Sequence, residues 1–258
     1  MNMRGLQWGY LLLAFAFIYL PVASLVLFSF KDGSLPLPPF EGPTLRWYGE
    51  VLGDRRLMAA LGHSLMVAVG SSLTACVLGF LAAYGLARHV LPGSVWLRGL
   101  LIAPMTVSYL IVGLGLLIVF NQLGIGLSLW AAGIGHVVIN LPLCFAIIYA
   151  SMGAQQQNIE RAARDLGAGE ARVITQVTVP MLAPAILAAF FLAMTLSWDE
   201  FVIAFLLTRF EVTLPVEIWS LLRSGLSSKT NAIGSLVFLG SAAIVLLLEL
   251  FIFARRRP

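Results

Sequence analysis

Across its 258 residues the chain is 60% apolar and only 11% charged, whereas ordinary soluble domains carry about 25% charged residues. This balance excludes a free-standing soluble domain and marks an all-α integral membrane protein. The net charge of +4 does not point to nucleic acid, because arginines gather at the ends of apolar segments and no basic patch interleaved with aromatics exists.

The first apolar run, Gly9 to Phe30, is too long and too aromatic for a signal-peptide core, and no small-residue cleavage site follows it, so it reads as a retained span. The stretch 31–62 begins rich in Pro and Gly, then places Leu45, Tyr48 and Leu52 at helical spacing beside Trp47, the pattern of a helix lying in the membrane interface. Further spans are expected at about 64–86, 99–122, 127–150, 183–207 and 232–253, each near the ~20 residues that cross a ~30 Å hydrocarbon core. Cys76 and Cys144 fall inside these segments without a CxxC or a ligand neighbour, so they read as small core residues and no metal site is expected. Gly113, Gly115, Gly133, Gly135, Gly234 and Gly240 read as places where helices approach closely.

Six spans put both termini on one side. That side, with the 87–98 and 151–182 loops, holds Arg4, Arg88, Arg98, Arg161, Arg164, Arg172, Arg255, Arg256 and Arg257, nine cations against three acids; the other side holds seven cations against six acids. The bias predicts cytoplasmic termini and a cytoplasmic 151–182 loop. No flexible linker divides the chain, so a single domain, 1–258, is expected. Between the fifth and sixth spans, Leu214, Ile218, Leu221 or Leu222, and Leu226 recur at helical spacing after Pro215, as in a re-entrant or interfacial helix on the outer side.

The 151–182 loop carries the longest polar run between membrane-grade segments. Within Ile159 to Pro180, Ile159, Ala162, Ala163 and Leu166 share one helical face, while Glu160, Arg161, Arg164 and Asp165 lie mostly off it. Gly167 breaks that helix. A second short helix is expected from Glu170 to Val177, ending before Pro180. Two short helices around a glycine make a docking knob.

Ionisable and polar groups at membrane depth are costly and mark candidate pathways. Asp199 and Glu200 stand side by side near the outer half of the fifth span, about 100° apart around a helix; they flank a cation path or pair with an arginine of a partner helix. His136 and Asn140 share one face of the fourth span and contact either a partner helix or a passing solute. Glu249 lies near the inner end of the last span, where it snorkels toward the headgroups.

Two motifs carry a resemblance. Ala162-Ala163, three residues, Gly167, nine residues, then Val177-x-Val179-Pro180 is similar to the E-A-A, G, I-x-L-P loop of bacterial ABC importer permeases, with Arg161 in the place of the usual Glu and Glu160 one position earlier. Leu196, Ser197, Asp199, Glu200, Val202 and Ile203, followed by Thr213-Leu214-Pro215, then Asn231-Ala232, and preceded by Thr44-Leu45-Arg46-Trp47-Tyr48, resembles the spermidine/putrescine branch of those permeases. The resemblance implies a type I importer permease fold in the bacterial inner membrane. It places the ATPase contact on the loop of Glu160, Arg161, Ala162, Ala163, Asp165, Gly167 and Pro180; Ser197, Asp199 and Glu200 of the second motif, with His136 and Asn140 from their depth in the fourth span, make the candidate solute path. The solute is a polyamine or, for other branch members, another organic cation, an amino-acid derivative or an organophosphonate.

The chain has no G-x-x-x-x-G-K-[ST], and its two lysines, Lys31 and Lys229, fall on the predicted outer side, so ATP and Mg are expected on a partner rather than here. The implied partners are a homologous second permease, two ATPase subunits, an extracytoplasmic solute-binding protein and membrane lipid. An ATP-independent transporter or channel would need no docking loop. A membrane-embedded enzyme would show clustered bases or nucleophiles, and His63, His89 and His136 are scattered.

Overall fold

The computed structural model describes residues 3–225 and 227–255. Its described residues form helices and no strands, apart from an isolated bridge between Lys31 and Pro43. In chain order the helices are α1 (Met3–Ser29), α2 (Arg46–Gly53), α3 (Arg55–Arg88), α4 (Ser94–Ile102), α5 (Tyr109–Gln122), α6 (Leu129–Ala150), α7 (Ala154–Asp165), α8 (Glu170–Val173), α9 (Val179–Trp198), α10 (Val202–Leu207), α11 (Leu214–Ser224) and α12 (Ser228–Arg255). They divide into two compact units, residues 1–59 with 217–258 and residues 60–216.

In the first unit, α1 and α2 pack on α12. The buried side of α2 is Trp47 and Val51 rather than the Leu45–Tyr48–Leu52 stripe, and Leu45 and Leu52 stay exposed. Trp47 Nε1 donates to the Lys31 carbonyl at 2.7 Å, and the Tyr48 hydroxyl meets Ser29 Oγ at 2.6 Å and Ser235 Oγ at 3.1 Å. Lys229 pairs with Asp54 at 2.9 Å, which holds the Asp54 carboxyl below its usual range. Leu226 and the side chain of Glu249, like those of Arg4 and Arg255–Arg257, lie outside the described residues.

The second unit is built around α3, α6 and α9. Ala75, Cys76, Phe80, Cys144, Phe145, Ile148 and Ala189 form its apolar centre, with the two cysteine sulfurs 3.4 Å apart. α3 and α6 touch here because Gly79 has no side chain: a Cβ there would sit 2.8 Å from the Phe145 backbone nitrogen. Of the glycines singled out in the sequence, Gly113, Gly135 and Gly234 also meet neighbouring side chains, while Gly115, Gly133 and Gly240 face open space.

Among the described residues, four helical segments are long and apolar enough to cross a membrane, 7–29, 55–88, 129–150 and 170–198, and a fifth is reached if the bent α4–α5 pair counts as one. Two expected spans are therefore not straight rods. The 99–122 span turns through 106° between a segment ending at Thr106 and α5. Pro104 sits at the start of the tight turn Ala103–Thr106, where it has no N–H to continue an α-helical ladder. The 183–207 span breaks after Trp198, and α10 begins only at Val202. Conversely, no gap separates the expected 170–177 helix from the span that follows. The backbone runs from Glu170 to Trp198 as one helical segment through a π-turn, Ile174–Thr178. The widened turn relieves the clash that the Pro180 ring makes with the carbonyl four residues earlier.

Candidate functional site: a loop elbow and a buried polar chain

α7 turns the opposite way from an ordinary amphipathic helix. Its buried residues are Gln156 and Glu160, while Ile159 and Leu166 of the apolar stripe are 42% and 90% exposed and Ala162 is exposed with them. Glu160 is wholly buried because the 60–216 unit supplies every partner its carboxylate needs. Arg88, at the end of α3, makes a two-pronged contact, Nε to Oε2 at 2.6 Å and Nη2 to Oε1 at 3.1 Å. Thr178 Oγ1 and Gln156 Nε2 donate to Oε1 at 3.0 and 3.3 Å. Paired planar forks of this kind fix direction as well as distance. One carboxylate thereby ties α3, α7 and the π-turn together.

The elbow after α7 is set by Gly167, whose φ of +88° is left-handed backbone that side chains with a Cβ rarely adopt. A Cβ there would meet nothing within 4 Å, so the glycine serves the turn and not a close approach. Arg164 closes the elbow from outside with two contacts of 2.8 Å to Glu170, and Tyr84 Oη bridges them, donating to Glu170 at 2.5 Å and accepting from Arg164 at 3.1 Å. The Glu170 carboxylate keeps the Arg164 guanidinium protonated well above its usual range. Arg161 and Asp165 are exposed, Ala163 is half-buried, and Pro180 lies at the exposed start of α9.

At the far end of α9 the polar candidates separate. Asp199 closes α9, is exposed, and makes no ion pair among the described residues. Glu200 turns inward and caps α10: Oε1 accepts from Val202 N at 2.8 Å, and Oε2 from Ile203 N at 2.9 Å and Ala204 N at 3.2 Å. Three of the donors that a helix start leaves without partners are thus satisfied by one side chain. His136 Nε2 faces Glu200 Oε2 at 3.5 Å, while His136 Nδ1 meets Ser197 Oγ at 2.6 Å and Ser197 Oγ meets Ser71 Oγ at 3.1 Å. Ser71, Ser197 and His136 therefore form a buried hydrogen-bonded chain across α3, α9 and α6, and His136 Nε2, which makes no hydrogen bond among the described residues, lies against Glu200 at the break. Asn140, one turn from His136, is buried as well, and its Nδ2 has no hydrogen-bond partner among the described residues.

The chain of contacts ends at an opening. Ser71 lines a cleft of about 500 Å³ between α3 and α6, along with His63, Thr74, Trp130, Gly133 and Glu211. Asp199, Glu200 and His136 are not among its lining residues. Sequence reasoning missed Arg88, Thr178 and Ser71, all brought in by pairings across more than a dozen residues. The only local signal was an arginine at the end of a span.

Residues 75–256 match the family described as "Binding-protein-dependent transport system inner membrane component". The chain belongs to that family. It is 36% identical over 254 residues to the Putrescine transport system permease protein PotI of Escherichia coli K12, covering 95% of this chain and 89% of that protein. It is 29% identical over 249 residues to the Spermidine/putrescine transport system permease protein PotC of the same organism, covering 96% and 94%. A bacterial ABC transporter that imports the acidic polysaccharide alginate shares the fold, with a TM-score of 0.69 over 99% of this permease at 18% identity. The permease is an inner-membrane transport component and not an enzyme.

Proposed function

We propose that this chain forms half of the translocation path of an ATP-driven importer for a small organic solute, most specifically a polyamine, and that it receives the power stroke of a separate ATPase through the 159–180 elbow. In this reading the chain works as one permease domain of six spans with both termini cytoplasmic. A homologous second permease completes the path, two ATPase subunits bind ATP and Mg, and an extracytoplasmic binding protein delivers the solute. The relatives named for putrescine and spermidine support the solute class. So does the Asp199 carboxylate, exposed and in no ion pair among the described residues, which suits an ammonium group in a low-dielectric passage.

The observation that carries the coupling role is the outward apolar stripe of α7. Glu160 and Gln156 occupy the buried side, so Ile159, Ala162 and Leu166 are left facing outward on a polar loop. An apolar edge held in place by a buried ion pair is built to be covered by another protein. Purification in mild detergent should bring down the second permease and the ATPase with this chain. Ala162→Arg and Leu166→Arg should leave the chain inserted but release the ATPase and abolish uptake. Retention of the ATPase at wild-type level in both variants would remove the docking role.

A further inference from the structure

We infer that Ser71, Ser197, His136 and Glu200 are positioning residues: together they hold the break in the fifth membrane segment and present Asp199, so that Asp199 and not Glu200 is the carboxylate the solute meets. The inference rests on the proposed solute path at Asp199.

Three observations support it. Both oxygens of Glu200 are already engaged by the backbone of residues 202–204, and the residue is 6% exposed. With three of its roughly four lone-pair sites taken and its side chain buried, this carboxylate has little left to offer an ammonium group, whereas Asp199 is exposed. Second, α10 is seated on α5 and α6 where glycines leave room. A Cβ at Gly113 would fall 2.7 Å from Leu206 Cδ1, and one at Gly135 would collide with Ile203. The segment after the break therefore has a fixed seat, and Glu200 fixes where it starts. Third, Ser197 is the next-to-last residue of α9 and bonds both His136 on α6 and Ser71 on α3, so the end of α9 is held from two sides. With the ends of α9 and α10 both held, Asp199 is left as the exposed residue of the pair. Because Ser71 also lines the α3–α6 cleft, anything that moves α3 at that level is felt at the break.

The test uses the assembled importer in membrane vesicles with labelled putrescine as the probe, all rates normalised to assembled complex. Asp199→Asn should raise the half-saturation concentration about tenfold, the effect of losing one charged contact. Glu200→Gln turns an amide donor toward N–H groups and should also raise it about tenfold, whereas Glu200→Asp still accepts from the start of α10 and should stay within about twofold. Adding Glu200→Gln to Asp199→Asn should cost nothing further, since the first acts through the second. A product of the two effects, about a hundredfold, would mean that Glu200 meets the solute directly and would overturn the inference. If Glu200→Gln does not assemble, Ser197→Ala serves in its place, with an expected rise of about threefold that also vanishes on the Asp199→Asn background.

A second readout needs no transport. With Cys76 and Cys144 replaced by Ala, Asp199→Cys is labelled by a cationic thiol reagent. Adding Glu200→Gln should change the labelling rate at least ~threefold, and Glu200→Asp should restore it. An unchanged rate overturns the positioning role whatever uptake does. A changed rate together with unaffected uptake in Asp199→Asn supports the positioning role and rejects Asp199 as the solute contact.

Discussion

Glu160 and Glu200 are both carried into the interior of the 60–216 unit, yet each is satisfied differently. Glu160 is held by side chains, with Arg88 as a two-pronged counter-charge and Thr178 and Gln156 filling the remaining lone pairs. Glu200 is held by backbone, three N–H groups of α10, with His136 Nε2 3.5 Å away and not hydrogen-bonded to it. The first arrangement locks distant elements together and stays locked while the loop is pushed or pulled. The second marks where a helix begins, so it controls a local direction. In the proposed reading, the first is the stiff joint where force would enter and the second aims the group that the solute would pass.

The comparison is broken most severely by Arg88→Met, which strands the Glu160 carboxylate. Removing one member of a buried pair costs about 3–5 kcal/mol, so assembled yield and thermal stability in detergent should fall sharply. The double variant Arg88→Met/Glu160→Met should recover much of the loss. Gly167→Val tests the elbow alone: a β-branched residue at φ of +88° costs about 1–2 kcal/mol or more. The chain should remain inserted while uptake and ATPase stimulation fall together. Arg161→Glu changes an exposed side chain beside Glu160 and should alter stability by no more than about 0.5 kcal/mol. Loss of uptake with intact stability would place Arg161 in the ATPase contact.

The smallest effect belongs to Asp54, whose carboxyl is lowered chiefly by the hydrogen bond from Lys229. A depressed folded-state value means stability that is present above the unfolded carboxylate range, about 3.9, and lost as pH falls through the folded value. Both side chains are about a quarter exposed, so solvent screening keeps the contribution below about 1 kcal/mol. Lys229→Met should therefore lower stability at neutral pH by up to that amount, change it little once Asp54 is protonated, and so flatten the acid limb of a thermal-stability profile slightly.

Much of the helical plan was legible in the sequence because apolar length and charge at segment ends are local quantities. The polar loop and its glycine elbow were legible for the same reason. Periodicity correctly gave α7 an apolar stripe, but a period does not say which side faces inward. That is decided by Arg88, 72 residues from Glu160 in sequence. The break at Asp199 was hidden because a continuous apolar run averages over it. In hindsight, an acid followed by Phe201, Val202 and Ile203 reads as a cap before a helix start. Pro104 was a visible signal for the bend before α5, overridden by the apolar length around it. Ser71 left no signal at all, since a serine in a span is ordinary until its neighbour is known.

The π-turn at Ile174–Thr178 gives the segment from Glu170 to Trp198 an unusual mechanical character. At 1.5 Å per residue its 29 residues reach about 43 Å, so a single rod joins the elbow to the residue before Asp199. A π-turn amounts to one residue inserted into an α-helix, and one residue is about 100° of rotation. The insertion therefore sets a fixed angular offset between the faces that the segment presents near Gly167 and near Asp199. Deleting one residue within 174–178 would keep the rod nearly as long but change that offset.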